Sequence, residues 1–174
     1  MTALIRGRRD DTALIRPATP SDFDAILRLN AEWEHFTSPL DAESLARLHD
    51  QAAYRRVVER DCQVAAFLLA LREGADYDSP NYRWFDDRQD AFLYVDRLVV
   101  AHDHQGQGYG AALYDDMFAY ARASGIDRIV CEIDVDPPNQ ASRRFHDTYG
   151  FTEVGTQWIA GGTKRVSLRQ AWVR

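Results

Sequence analysis

Between residues 104 and 113 the chain reads HQGQGYGAAL, with glycines at 106, 108 and 110 set directly before a helical run. Glycine loses more backbone entropy on folding than any other residue, so such a cluster belongs where the chain turns tightly or lies close against something. Upstream, AFLYVDRLVV (91–100) reads as a strand. Downstream, Leu113, Met117 and Tyr120 or Ala121 recur at helical spacing as far as Gly125, a natural C-cap. A strand, a glycine loop and a helix in that order predict an α/β domain with exposed backbone N–H groups at a helix start.

The remaining elements fit around this unit. TALIR occurs at 2–6 and again at 12–16, too short for a structural repeat. The second copy is expected to open the fold with a strand at 13–17, leaving 1–12 as a flexible N-terminal tail. Ser21 after Pro20 is a suitable N-cap for a helix through Ile26 and Leu29 toward Trp33, and a second helix follows from Asp41 to about Gln51. YRRVVERD (54–61) and QVAAFLLAL (63–71) read as a hairpin turning at Asp61-Cys62. Residues 72–90 show no period and are expected to be a substrate-side loop. RIVCEIDV (128–135) is a strand, NQASRRFHDTY a short helix stopped by Gly150, and TEVGTQWI and KRVSLRQAWV are two last strands around Gly161-Gly162. The chain of 174 residues reads as one domain.

Composition limits the partners. The net charge is −6 and no polybasic run occurs, which argues against nucleic acid or an anionic membrane surface and suits a cationic small molecule or a peptide amine. Cys62 and Cys131 lack metal-like or CxxC spacing, and no apolar stretch is long enough for a membrane span or signal h-region. His102 and His104 are not spaced with acids as a metal site requires, so no metal is expected. A soluble protein of a reducing cytoplasm is the expectation.

Three phosphate-binding readings of the glycines compete. Gly106, Gly108 and Ala111 satisfy GxGxx[GA], but AHDHQ separates the first glycine from its strand and the βαβαβ repetition of a dinucleotide fold is missing. A Walker loop needs Lys-Ser or Lys-Thr after its last glycine, and Ala111-Ala112 stand there. The third is a helix N-terminus whose N–H groups wrap a pyrophosphate. A tight connection with no ligand is the bland alternative.

The C-terminal half separates these. Gln105-Gly106-Gln107-Gly108-Tyr109-Gly110 after Leu98-Val99-Val100 resembles the Q/R-x-x-G-x-G/A motif of the GNAT superfamily of N-acetyltransferases. Asn139, Ser142 and Phe145, followed by Tyr149-Gly150-Phe151, resemble that family's N-x-x-[AS]…G-F helix. The resemblance implies an α/β GNAT fold: a mixed, mostly antiparallel sheet of six to seven strands, splayed between the fourth (91–100) and fifth (128–135), with about four flanking helices. It implies acetyl-coenzyme A as donor, its pyrophosphate held by residues 105–110 and its pantetheine arm pairing with 98–100 like an added strand. The Val100 N–H is then the expected oxyanion donor. Asn139, Ser142 and Phe145 complete the expected donor-binding set.

Many relatives carry a tyrosine as the acid for the departing thiolate seven residues after the motif asparagine; here the residue is His146. The run Ser142 to Phe151 resembles the phosphinothricin-type branch. With an ordinary pKa near 6.5, His146 could protonate the thiolate or receive the amine proton, or simply hydrogen-bond on the helix surface. For the amine proton, Asp96 is the first candidate, oriented by Tyr94 on the same strand face, with Glu132 and Asp134 as alternatives. Aromatic Tyr82 and Trp84 in 72–90, and Trp33 at the end of the first helix, are candidate acceptor walls, with Glu132 and Asp134 beside them. The reading is acetyl transfer to a primary amine of a small molecule by direct attack in a ternary complex. A protein N-terminus or lysine acceptor, or a non-catalytic acyl-CoA sensor, remain alternatives. Many relatives dimerise through terminal strands, so a homodimer is an open expectation.

Overall fold

The computed structural model describes residues 3–6 and 12–174. One eight-stranded sheet runs in the order β1-β2-β3-β4-β5-β6-β8-β7. The chain divides into two compact units, one running to Leu71 and taking in Asp96–Ala119, the other made of Arg72–Val95 and Tyr120–Arg174.

In the first unit, β2 (Thr12–Pro17), β3 (Tyr54–Arg60) and β4 (Gln63–Arg72, which crosses into the second unit at its last residue) follow one another antiparallel. β4 is buried continuously from Ala65 to Leu71, which explains its unbroken apolar run: a central strand covered on both faces needs no alternation. The β3–β4 turn falls on Asp61 and Cys62, both at positive φ (50° and 61°), as a two-residue hairpin requires. α1 (Phe23–Glu32) and α2 (Ala42–Gln51) bury Ile26, Leu29, Leu45 and Leu48. A 3-10 turn, Pro20–Asp22, leads into α1 and is capped by Thr19 rather than opening at Ser21: the Thr19 N–H donates to Asp22 Oδ2 (2.8 Å), and Arg16 grips the same carboxylate at 2.7 and 2.8 Å.

The N-terminal expectation fails in one respect. Ala3–Arg6 forms a strand, β1, paired antiparallel with β2 in the register Ala3↔Ile15 to Arg6↔Thr12. ALIR of the first copy is therefore a strand laid against the second copy, and among the described residues the sheet gains an eighth strand; the rest of 1–11 lies outside the described residues.

In the second unit, β6 (Arg128–Asp136) pairs antiparallel with β8 (Lys164–Trp172), and β8 with β7 (Thr152–Ile159). β5 (Leu93–Val100) meets β6 in parallel at Leu93↔Ile129 and Tyr94↔Val130. α4 (Tyr109–Ala123) and α5 (Gln140–Thr148) follow the glycine loop and β6 as expected. The segment 72–90 does not. Ser79 caps a helix with Pro80 in its first turn, and this α3 (Pro80–Asp86) buries Tyr82 and Phe85, making five α-helices among the described residues. No helix among the described residues is long and apolar enough to cross a membrane.

Candidate active site

The first unit carries the glycine loop. β5 ends at Val100, and the Ala101 N–H donates to the Ala65 carbonyl at 2.9 Å, holding the strand end against β4. A short 3-10 turn at His102–His104 leads to Gln105 in extended conformation. Gly106 and Gly108 then take φ of 72° and 84°, a region L side chains resist, and a Cβ at either would meet nothing within 4 Å. The glycines are required by conformation, and the space over them is open. The Gly108 carbonyl accepts the Ala112 N–H at 2.9 Å, so the loop passes directly into α4, whose first-turn N–H groups and positive dipole end suit an anion. Gly110 is the second residue of α4, and Tyr109 is buried at its start.

On β5, Val99 is buried, whereas Leu98 and Val100 are half-buried. Trp33, expected as an acceptor wall, donates its indole N–H to the Val100 carbonyl (3.0 Å) and stacks on His102, ring centroids 4.2 Å apart. It pins the end of α1 to the end of β5. Asp96 is similarly committed. Its Oδ2 accepts from Arg97 Nε at 2.6 Å with both side chains at most 5% exposed, and Arg97 Nη1 reaches Asn30 Oδ1 (2.7 Å) and the Ser38 carbonyl (3.3 Å). A carboxylate so engaged is an ion-pair partner before it is a base. Arg97 was silent in the sequence, since nothing marked it apart from other strand arginines.

The second unit carries the motif helix. Asn139 caps α5, its side-chain oxygen accepting the Ser142 N–H at 3.0 Å, and Phe145 packs on Tyr149. His146 is 7% exposed, edge-on to Phe145 and Phe151, with Nδ1 2.7 Å from the Ser142 carbonyl and 3.3 Å from Ser142 Oγ. Since a carbonyl only accepts, that contact assigns the proton to Nδ1. Burial lowers the imidazole pKa to about 4, the Ser142 carbonyl opposing and the Arg169 charge assisting. This environment suits a neutral, helix-anchoring imidazole and is the reverse of what a proton donor at neutral pH needs.

The alternative carboxylates are paired as well. The Tyr94 hydroxyl, expected to orient Asp96, donates to Glu132 Oε2 at 2.8 Å, and Asp134 Oδ2 lies 2.8 Å from Lys164 Nζ. Tyr82 is fully buried: its hydroxyl donates to the Arg72 carbonyl and accepts the Ala75 N–H, each at 2.8 Å, and burial pushes its pKa up to about 12. Trp84 packs over Gly155 and carries the Arg88 guanidinium 4.5 Å from its ring. Tyr82 is therefore core of the second unit, whereas Trp84 is half-buried on the outer side of α3 against Gly155.

Known proteins resemble this chain over most of its length. Phosphinothricin N-acetyltransferase of Streptomyces viridochromogenes is 29% identical over 157 residues, covering 84% of this chain and 78% of that protein. The ribosomal-protein-S18-alanine N-acetyltransferase of Escherichia coli superposes with a TM-score of 0.71 at 15% identity, over 92% of this chain and 94% of that one. The yncA protein of Salmonella typhimurium, solved with acetyl-CoA, superposes with a TM-score of 0.69 at 21% identity, over 92% and 93%. Residues 21–151 match the acetyltransferase (GNAT) family, and the chain belongs to it: an acyl-CoA-dependent N-acetyltransferase with the α/β GNAT fold.

Proposed function

We propose that this acetyltransferase acts on a primary amine of a small molecule, with acetyl-CoA as donor and direct attack in a ternary complex. The observation that carries the donor half is the loop itself: Gly106 and Gly108 at positive φ under open space, at the start of a fifteen-residue helix. Residues 105–110 would hold the pyrophosphate, 98–100 would pair with the pantetheine amides, and the Val100 N–H would face the thioester oxygen. Asn139, Ser142 and Phe145 are proposed as further donor contacts from the motif helix. The likeness to phosphinothricin N-acetyltransferase supports a small-molecule acceptor.

In the reaction the amine nitrogen forms a bond to the acetyl carbon, the carbon–sulfur bond breaks, and one proton leaves the nitrogen while the thiolate gains one. Asp96, Glu132 and Asp134 are each paired, so the amine enters best in its neutral form or loses its proton to water. His146 serves this scheme by fixing α5. A screen of thiol release from acetyl-CoA across small amines and peptides tests the proposal. Turnover with small amines supports it; turnover confined to peptides overturns the acceptor, and no thermal shift with saturating acetyl-CoA overturns the donor.

A further inference from the structure

The glycine loop has an electrostatic deficit. Residues 101–112, AHDHQGQGYGAA, contain no lysine or arginine, one aspartate and two histidines, in a chain of net charge −6. Backbone dipoles alone would meet a doubly charged pyrophosphate there, against the field of the whole molecule. Arg60, the last residue of β3, supplies a cation from 47 positions away. Its Nη1 donates to Gln107 Oε1 at 2.6 Å and lies 3.4 Å from the Tyr109 hydroxyl. Gln107 is held in turn by its own amide nitrogen, 3.3 Å from the Asp103 carbonyl and 3.4 Å from His104 Nδ1. Arg60 is also fixed at its base: it closes the β3–β4 hairpin opposite Gln63, its side chain is only 19% exposed, and Asp61 Oδ2 stands 3.5 Å from Nε. The guanidinium is therefore placed at the loop before any ligand arrives, with little rotamer freedom left to lose.

We infer that Arg60 is a ligand of the donor's pyrophosphate, completing from β3 the charge that the loop lacks. The inference rests on the donor reading of the loop. A guanidinium presents a planar fork that matches two phosphate oxygens, which neither Gln105 nor Gln107 can do. On binding, Arg60 would turn from the Gln107 amide oxygen to a charged acceptor, a stronger bond for the same donor.

The test uses the full chain, with Arg60→Ala and Arg60→Lys, titrated calorimetrically with acetyl-CoA and with 3′-dephospho-acetyl-CoA, and assayed with acetyl-pantetheine, which has no pyrophosphate. Arg60→Ala should weaken both nucleotide donors about ten- to a hundredfold, the scale of losing a charge-assisted hydrogen bond. Arg60→Lys should recover part of that loss, as a point charge without the fork. Turnover of acetyl-pantetheine should be equal in all three proteins. Unchanged acetyl-CoA affinity in Arg60→Ala overturns the inference, and so does an equal loss with acetyl-pantetheine. A defect that vanishes with the dephospho donor assigns Arg60 to the 3′-phosphate and overturns the pyrophosphate contact. Failure of the wild type to bind any nucleotide donor overturns the donor reading itself, a result distinguishable from all of these.

Discussion

His146 illustrates how one residue type changes meaning with burial. An imidazole with a pKa of about 4 is neutral at physiological pH, and its Nδ1 proton is spent on the Ser142 carbonyl. As an acid it would be protonated in roughly one molecule in a thousand at pH 7. His146→Asn places an amide N–H where Nδ1 stood, so kcat on the best amine should stay within about threefold from pH 6 to 9. A fall of a hundredfold or more with unchanged donor affinity would restore the imidazole as a proton carrier. Arg97 makes the converse case, a buried charge that survives only because it is answered. Arg97→Met leaves the Asp96 carboxylate buried without its guanidinium and should cost about 3–5 kcal/mol in denaturant unfolding. Arg97→Lys should cost less but not restore wild type, since one ammonium cannot span Asp96, Asn30 and the Ser38 carbonyl. Equal stability of Arg97→Met and wild type would show that the pair is not holding the strand.

Long elements were legible because burial wrote their period into the chain: β4 as an unbroken apolar run, α4 through Leu113, Met117 and Ala121. α3 was not, because its seven residues bury only two apolar side chains, Tyr82 and Phe85, too few to distinguish a helix from an aromatic loop. β1 was hidden for another reason: its partner is its own copy, and only the pairing reveals a strand. The glycines of the loop could be read from spacing, whereas the engagement of Glu132 by Tyr94 and of Asp134 by Lys164 depends on side chains that the fold brings near them. Trp84 shows the same limit across elements. A Cβ on Gly155 of β7 would stand 2.6 Å from Trp84 Cζ2, so the glycine exists to admit the indole. Gly155→Ala should destabilise by about 1–3 kcal/mol, and less in a Trp84→Ala background. Additive losses in that double-mutant cycle would mean the two do not press on each other. Tyr82→Phe strips the Ala75 N–H and the Arg72 carbonyl of their shared hydroxyl and should cost about 1–3 kcal/mol by thermal or urea unfolding. Deleting the segment would therefore remove core and unfold the unit rather than lift a lid.

For the molecule as a whole, these buried groups set how stability depends on pH. His146 has a folded pKa of about 4, below the ordinary 6.5 of the unfolded chain. Its contribution is complete above pH 6.5, because both states are then neutral, and is lost as pH falls from 6.5 toward 4, where only the unfolded state takes up the proton. The full window is worth about 3 kcal/mol, of which about 2 is spent between pH 7.5 and 5. A second window lies lower. Burial pushes the Asp22 carboxyl up, but the hydrogen bonds from Arg16 and Thr19 outweigh it and hold the pKa below the usual aspartate value. Burial likewise pushes Glu73 up and is outweighed by Arg72 and the Phe92 N–H. The stability from these two is present above the ordinary carboxylate values and lost as pH drops through the lowered ones. Self-repulsion cannot imitate the upper window, because the isoelectric point is about 5.3 and net charge shrinks, rather than grows, on the way from pH 7.5 to 5. Urea unfolding at those two pH values should therefore show wild type losing about 2 kcal/mol and His146→Asn losing little. A wild-type curve that is flat between them would mean that the imidazole accepts its proton as readily in the folded chain as in the unfolded one, and the neutral anchoring role assigned to it would fall.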